Sequence, residues 1–218
     1  MEDAKFPLAA FDEIGYQAVF SGQKTYNGVA IISRARPENV TKDMVGYDDH
    51  QKRVIAATVN GVRVVCAYIP NGQTVESEKY QYKLNWLAAL QSYMRDTISA
   101  HGDVALLGDY NIAPDDRDVH DPKAWEGQVL CSVPERDAFR ALVALGLTDS
   151  FRLFEHPEKS FSWWDYRMNG FKRNLGLRID HILLTSDLAG RCTGSVIDVE
   201  PRKLDRPSDH APVVADIR

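Results

Sequence analysis

Three short clusters place acidic, amide and imidazole side chains where an apolar run meets a loop: Gly108-Asp109-Tyr110-Asn111, Arg178-Ile179-Asp180-His181 and Pro207-Ser208-Asp209-His210-Ala211-Pro212. Converging carboxylates need a cation. Hard oxygen donors of this kind suit Mg²⁺ or Mn²⁺, whose other positions are filled by water and phosphate oxygens. His210 adds the one side chain of these clusters that titrates near neutral pH. Taken singly, each cluster also reads as an ordinary turn, because Asp and Asn bond nearby backbone amides. Taken together, carboxylates at three strand ends favour a site held for chemistry by a rigid sheet. His181 also follows an aspartate, but strand alternation turns it to the face opposite Asp180, which makes it structural. His50, His101, His120 and His156 sit in polar, loop-like contexts and receive no role.

The elements that must position these clusters can be read around them. Two β-rich runs, Arg53–Val59 and Val62–Tyr68, flank Asn60-Gly61, a pair that tolerates positive φ and predicts a type I′ hairpin. A helix is predicted from Glu78 to about Ala100, with Leu84, Leu87, Leu90, Met94 and Ile98 at steps of three and four and Gly102 as its stop. Val104–Leu107 is short and wholly apolar, as a strand buried on both faces should be. A second helix is predicted over roughly Glu135–Leu145, between Pro134 and Gly146. Further β-like runs are Ser160–Trp163, Ile179–Thr185, Ser195–Val199 and Val213–Ile217. Strands in hairpins, interspersed with a few long helices, indicate mixed sheets covered by helices.

Composition bounds the class. The chain has 218 residues, 44% hydrophobic and 26% charged, with a net charge of −5, the profile of a folded globular protein expected to form a single domain over residues 1–218. No apolar run approaches a membrane span and the N-terminus lacks a signal-peptide layout, so a cytoplasmic protein with no membrane partner is expected. Cys66, Cys131 and Cys192 form no CxxC pair, which argues against a disulfide framework or a zinc site and makes them small core residues. No glycine-rich dinucleotide fingerprint or P-loop is present. Charge is uneven: Asp103 to Asp137 holds nine acidic residues against three basic ones, whereas six Lys and Arg face three acids between Phe151 and Arg178. An acidic pocket beside a basic, aromatic-rich surface suits a metal and a phosphate-bearing substrate, and solvated loop faces would give the same counts.

Seven segments in order carry a resemblance: GQKTYNGVAI, QKRVI, YIPNG, GDYNIAP, FSWWDYR, GLRID and PSDHAPV. Their order and spacing, from Phe6 to Ile217, resemble the exodeoxyribonuclease III branch of the endonuclease/exonuclease/phosphatase superfamily, which contains the abasic-site endonucleases. The resemblance implies an α/β (α+β) four-layer sandwich of two mixed β-sheets flanked by helices. It also implies a Mg²⁺-dependent DNA phosphodiesterase (Mn²⁺ as the substitute) of base-excision repair, cleaving at abasic sites and acting as a 3′–5′ exonuclease on duplex DNA, as a monomer.

By the same resemblance Asp109 handles the proton of the attacking water or leaving oxygen, and Asn111 positions the scissile phosphate. The i, i+2 spacing of the two suggests one side of an extended segment. His210 bonds a phosphoryl oxygen or serves as the base, and Asp180 orients it, while Tyr68 and Asn71 contact phosphate. Trp163 walls a pocket for a base-free sugar, with neighbouring Trp164 in the core. Arg53 and Arg178 touch the DNA backbone. Asp109, Asn111, Asp209 and His210 lie at the metal. One departure matters: the family's first strands, ending in Trp-Asn and in Gln-Glu, are not matched, and Glu2 aligns after that glutamate. The expectation is therefore an N-terminally truncated domain lacking those strands, with a weakened metal anchor. Two alternatives follow, a catalytically impaired form that binds DNA and a superfamily phosphodiesterase for another phosphodiester.

Overall fold

In a computed structural model, which describes residues 1–218, Asn60 and Gly61 take φ of 48° and 83°. These are the left-handed values that a type I′ turn requires. The turn joins two strands of the main sheet. In chain order the elements are α1 (Leu8–Glu13), β1 (Gln17–Gly22), β2 (Gly28–Ser33), β3 (Glu38–Lys42), β4 (Val54–Val59), β5 (Val62–Ala67), α2 (Glu78–His101) and β6 (Val104–Asp109). There follow α3 (Pro122–Trp125), α4 (Val133–Val143), β7 (Leu147–Asp149), β8 (Trp163–Trp164), β9 (Gly176–Leu177), β10 (Asp180–Thr185), α5 (Ser186–Arg191), β11 (Cys192–Ile197) and β12 (Val213–Ile217).

The main sheet has six strands in the order β3-β4-β5-β6-β10-β7. It is mixed: β5 and β6 run parallel and every other neighbouring pair is antiparallel. The parallel step needs a long crossover, and α2 supplies it. Ser77 caps this helix by accepting the Tyr80 N–H at 3.1 Å, and Gly102 ends it at φ 64°. Alternation along the strands sorts their side chains. Val54, Ala56, Val65, Ala67, Val104 and Leu106 meet Trp86, Leu87, Leu90 and Met94 of α2 and Phe139 and Leu142 of α4. Ile55 and Ala57 face the other way, onto Val29 and Ile31 of the β1–β2 hairpin.

The layered α/β arrangement is the expected one. Outside the main sheet lie three two-stranded antiparallel pairs, the β1–β2 hairpin, β11–β12 and the small β8–β9 pair. Helix α4 begins two residues earlier than the proline rule suggests, because Ser132 and Glu135 close a capping box and Pro134 sits inside the first turn. The three cysteines are free, with only Cys131 fully buried. No helix is long and apolar enough to cross a membrane.

The end of β6 is where the fold meets the chemistry. Gly108 adopts φ +140°, and a Cβ there would sit 2.0 Å from the Ala67 carbonyl oxygen of β5. Just beyond, the Ile69 N–H donates to the Asp109 carbonyl at 2.9 Å. A side chain at position 108 would force these strand ends apart. Gly108→Ala should cost about 3 kcal/mol or more, which at this chain length lowers the melting temperature by about 6–12 °C. Thermal unfolding followed by circular dichroism checks this, and a variant that melts with its parent would show that the close approach is not required.

Candidate active site

Strand pairing sets the centre of the site. Asp109, the last residue of β6, lies directly opposite Asp180, the first of β10. Two carboxylates in this register repel, and the surrounding groups answer that repulsion. His210 Nδ1 lies 2.9 and 3.1 Å from the two Asp180 oxygens. The Ser162 hydroxyl donates to Asp180 at 2.7 Å and itself accepts the Ile179 and Asp180 N–H groups at 3.1 Å. On the other acid, Asp109 accepts the Asn111 backbone N–H at 2.8 Å and its carboxamide N–H at 3.0 Å.

The Asp109–Asn111 relation is not the extended one suggested by the spacing. Asn111 has φ 49°, so the chain turns through the left-handed region and the carboxylate closes an Asx turn. A short amide side chain tolerates that backbone at small cost. Asn111 is buried, its carboxamide donates to the Ile69 carbonyl at 3.0 Å, and its Oδ1 accepts from Asn71 at 2.9 Å. Tyr68 stands beside this pair with its ring 4.8 Å from the Arg53 guanidinium carbon.

The electrostatics follow from the crowding. Burial pushes the Asp109 carboxyl up to about 7, with the facing Asp180 charge adding to it, while His210, the Asn111 N–H and Lys83 act against it. For His210, burial alone would lower the imidazole. The Asp180 hydrogen bond and charge, helped by Asp109 and Asp209, more than offset this and raise it to about 9. An imidazolium therefore stands beside an acid that exchanges its proton near neutral pH. Burial, followed by the Asp109 charge, also raises the Tyr68 phenol.

Trp163 is joined to this centre twice, by a backbone bridge to His210 and by its indole N–H, which donates to Asp209 at 3.0 Å. Trp164 is buried against Phe161 and Ala211, as expected. The remaining assignments change. Arg178 is 2% exposed, paired with Asp118 at 2.7 Å and Asp149 at 2.8 Å, so it is an internal strut and cannot touch a DNA backbone. Arg53 is also buried, donating to Gln51 at 2.9 Å and to the Tyr68 carbonyl at 3.0 Å, which makes it a support for Tyr68. Arg152 pairs with Asp118, so part of the basic stretch is spent inside the fold. His181 is buried and edge-on to Tyr110 and Phe139, and burial with the adjacent Arg178 charge lowers it to about 3.

Ligand atoms of Asp109, Asp180 and His210 lie within 4.8 Å of one another. Of the residues expected at the metal this group contains Asp109 and His210, while Asn111 Oδ1 accepts from Asn71 and one Asp209 oxygen accepts from the Trp163 indole. What fits a hard divalent cation is the donor chemistry of Asp109, a carboxylate oxygen set within ligand distance of a second carboxylate, Asp180. Residues that sequence reasoning did not single out are Ser162, Lys83 and Glu135. Lys83 is fully buried and donates to the Asn111 carbonyl at 2.6 Å and the Asn71 carbonyl at 3.1 Å, with Glu135 as its ion partner.

The description of the endonuclease/exonuclease/phosphatase family matches residues 2–210. The chain belongs to this family. It is a hydrolase of the exodeoxyribonuclease III-like nuclease kind. It is 35% identical to exodeoxyribonuclease III of Haemophilus influenzae, over 99% of this chain and 86% of that protein. Among solved structures, the 3′ phosphatase NExo from Neisseria bound to a product DNA hairpin superposes with a TM-score of 0.98 at 48% identity, covering 100% of this chain and 85% of that one. An AP endonuclease from Archaeoglobus fulgidus superposes at 0.95 with 39% identity, again over 100% and 85%.

Asp180 is the group whose removal most directly tests these electrostatics. In Asp180→Asn the His210 imidazole should titrate close to its ordinary value near 6.5 instead of about 9, read by NMR of the ring protons. Because the folded-state pKa is the raised one, the stability it contributes is full below about 6.5 and is lost as pH climbs through about 9. The parent's urea midpoint should fall over that window and the variant's should not.

Proposed function

We propose that this protein is a divalent-cation-dependent DNA phosphodiesterase of base-excision repair, acting on duplex DNA as one domain and as a monomer, both at abasic sites and at 3′ ends. The observation that carries the reading is the Asp109–Asp180–His210 cluster with Trp163 attached to it. Mg²⁺ or Mn²⁺ would be held by Asp109 and would supply charge neutralisation at the phosphate.

The chain's own residues do the rest. The His210 imidazolium, kept cationic by Asp180, donates to a non-bridging phosphoryl oxygen and stabilises the charge that develops there. Asp109, whose carboxyl burial raises in the absence of a cation, is the group that serves the attacking water or the leaving oxygen. Tyr68 and Asn71, at the mouth of the β5 loop, orient the phosphate, and Asn111 holds Asp109 in line. Trp163 presents the aromatic wall against which a base-free sugar or a terminal nucleotide is placed.

The two relatives divide along that last point, one being named a 3′ phosphatase and the other an AP endonuclease. The test is a side-by-side assay on a duplex with one abasic analogue and on a duplex with a recessed 3′ end, each with Mg²⁺ and with chelator. Both activities should require the cation. Asp109→Asn should lower kcat by about 10²–10⁴-fold with duplex affinity unchanged, and a variant as fast as its parent would remove Asp109 from proton transfer. Trp163→Ala should depress abasic incision more than 3′ processing. Equal loss of both, with a large fall in melting temperature, would make Trp163 a packing residue instead.

A further inference from the structure

Lys83 occupies a place that an ammonium group rarely holds. It is on the buried face of α2 at 0% exposure, between the loop after β5 and the loop after β6. An ammonium has three N–H donors, and here it has three acceptors: the Asn71 carbonyl, the Asn111 carbonyl and the Glu135 carboxylate. Each comes from a different segment. Glu135 is fully occupied as well, accepting the Leu130 N–H at 3.0 Å and the Ser132 N–H at 3.1 Å besides the Ser132 hydroxyl and Lys83. Gly72 packs against the lysine stem, where a Cβ would lie 3.2 Å from Lys83 Cδ. The pair is thus closed to solvent and has no free donor for a ligand.

The two carbonyls it holds belong to the residues whose side chains build the phosphate end of the site. Asn71 and Asn111 bond to each other through their carboxamides, and Asn111 bonds to both oxygens of Asp109. We propose that the Lys83–Glu135 ion pair is a positioning device, which locks the left-handed turn at Asn111 to the Asn71 loop and so fixes the direction of the Asp109 carboxylate. A buried ion pair is a poor source of net stability, since an apolar pair of similar volume is often as stable. Its contribution lies in where it holds three segments, two of them loops that no strand pairing fixes.

This separates positioning from stability in an experiment. The double variant Lys83→Met with Glu135→Leu removes both charges and keeps the volume. It also leaves the Leu130 and Ser132 N–H groups without their Glu135 acceptor, so it should fold but melt several degrees below the parent, as circular dichroism would show. Per folded enzyme, kcat on duplex DNA should fall by about 10–100-fold, the scale for a displaced catalytic group, with KM within about twofold. The side-chain amide NMR signals of Asn71 and Asn111, slowly exchanging in the parent, should broaden or merge with those of exposed Asn. Where the apolar pair does not fold, Lys83→Gln with Glu135→Gln, neutral and hydrogen-bonding, is read by the same three measurements. A folded variant with parental kcat and unchanged Asn71 and Asn111 amides overturns the proposal. The kinetic arm rests on the nuclease reading above and the amide arm does not. An inactive parent would refute that reading while the amides still decide the role of Lys83.

Discussion

Two aspartates facing each other across an antiparallel register are the constraint around which this molecule is organised. Asp109 and Asp180 close the β6–β10 ladder, where a like-charge pair opposes folding. Burial first, and the facing Asp180 charge second, raise the Asp109 carboxyl. What relieves it is local and directional. Ser162 and His210 answer Asp180, and Asn111 answers Asp109. The sheet supplies rigidity, and burial, with the facing Asp180 charge, raises an acid beside the His210 imidazolium. This is the general way that environment pushes two titratable groups apart and gives them different roles.

Behind that centre lie two buried networks of full charges. Lys83 and Glu135 sit under the Asn71 and Asn111 loops, and Arg178 joins Asp118, Asp149 and His181 behind β10. Neither is explained by stability alone, because desolvating ions costs about as much as their attraction returns. Both flank the strand ends that carry Asp109 and Asp180. His181 shows the division of labour within two consecutive residues: Asp180 faces the site, while His181 is neutral and faces the core, bonded to the Ile112 carbonyl at 2.9 Å and to Arg178 at 3.0 Å.

Much of this was legible in the sequence where one signal had one physical meaning. Asn60-Gly61 determined a hairpin because few pairs satisfy two positive φ values. The apolar steps of α2 placed that helix because a 3.6-residue period has no competing reading. Arg178 was not legible: an arginine before a strand looks the same in a sequence whether it faces solvent or closes on Asp118, sixty positions away. Lys83 was hidden for a related reason, since lysines flank most apolar helix faces with their heads in water. The two-residue spacing of Asp109 and Asn111 located the right pair with the wrong geometry, because alternation describes a strand and the strand ends at Asp109.

The attachment of Trp163 bears on how recognition and hydrolysis are connected. Its backbone bridges His210, its indole N–H holds Asp209, and the next amide, that of Trp164, donates to the Asp209 carbonyl at 3.0 Å. The Ala211 N–H then donates to the Ser162 carbonyl at 2.7 Å, and Ser162 is the residue whose hydroxyl holds Asp180. The Trp163 segment and the Asp180–His210 pair are therefore one hydrogen-bonded unit made of two adjacent stretches of chain. A ligand that shifted Trp163 would shift His210 with it. On the proposed function, discrimination at Trp163 would act through the alignment of the imidazolium with the phosphate, so a poor fit at the sugar would be felt as a slower step as much as a weaker complex.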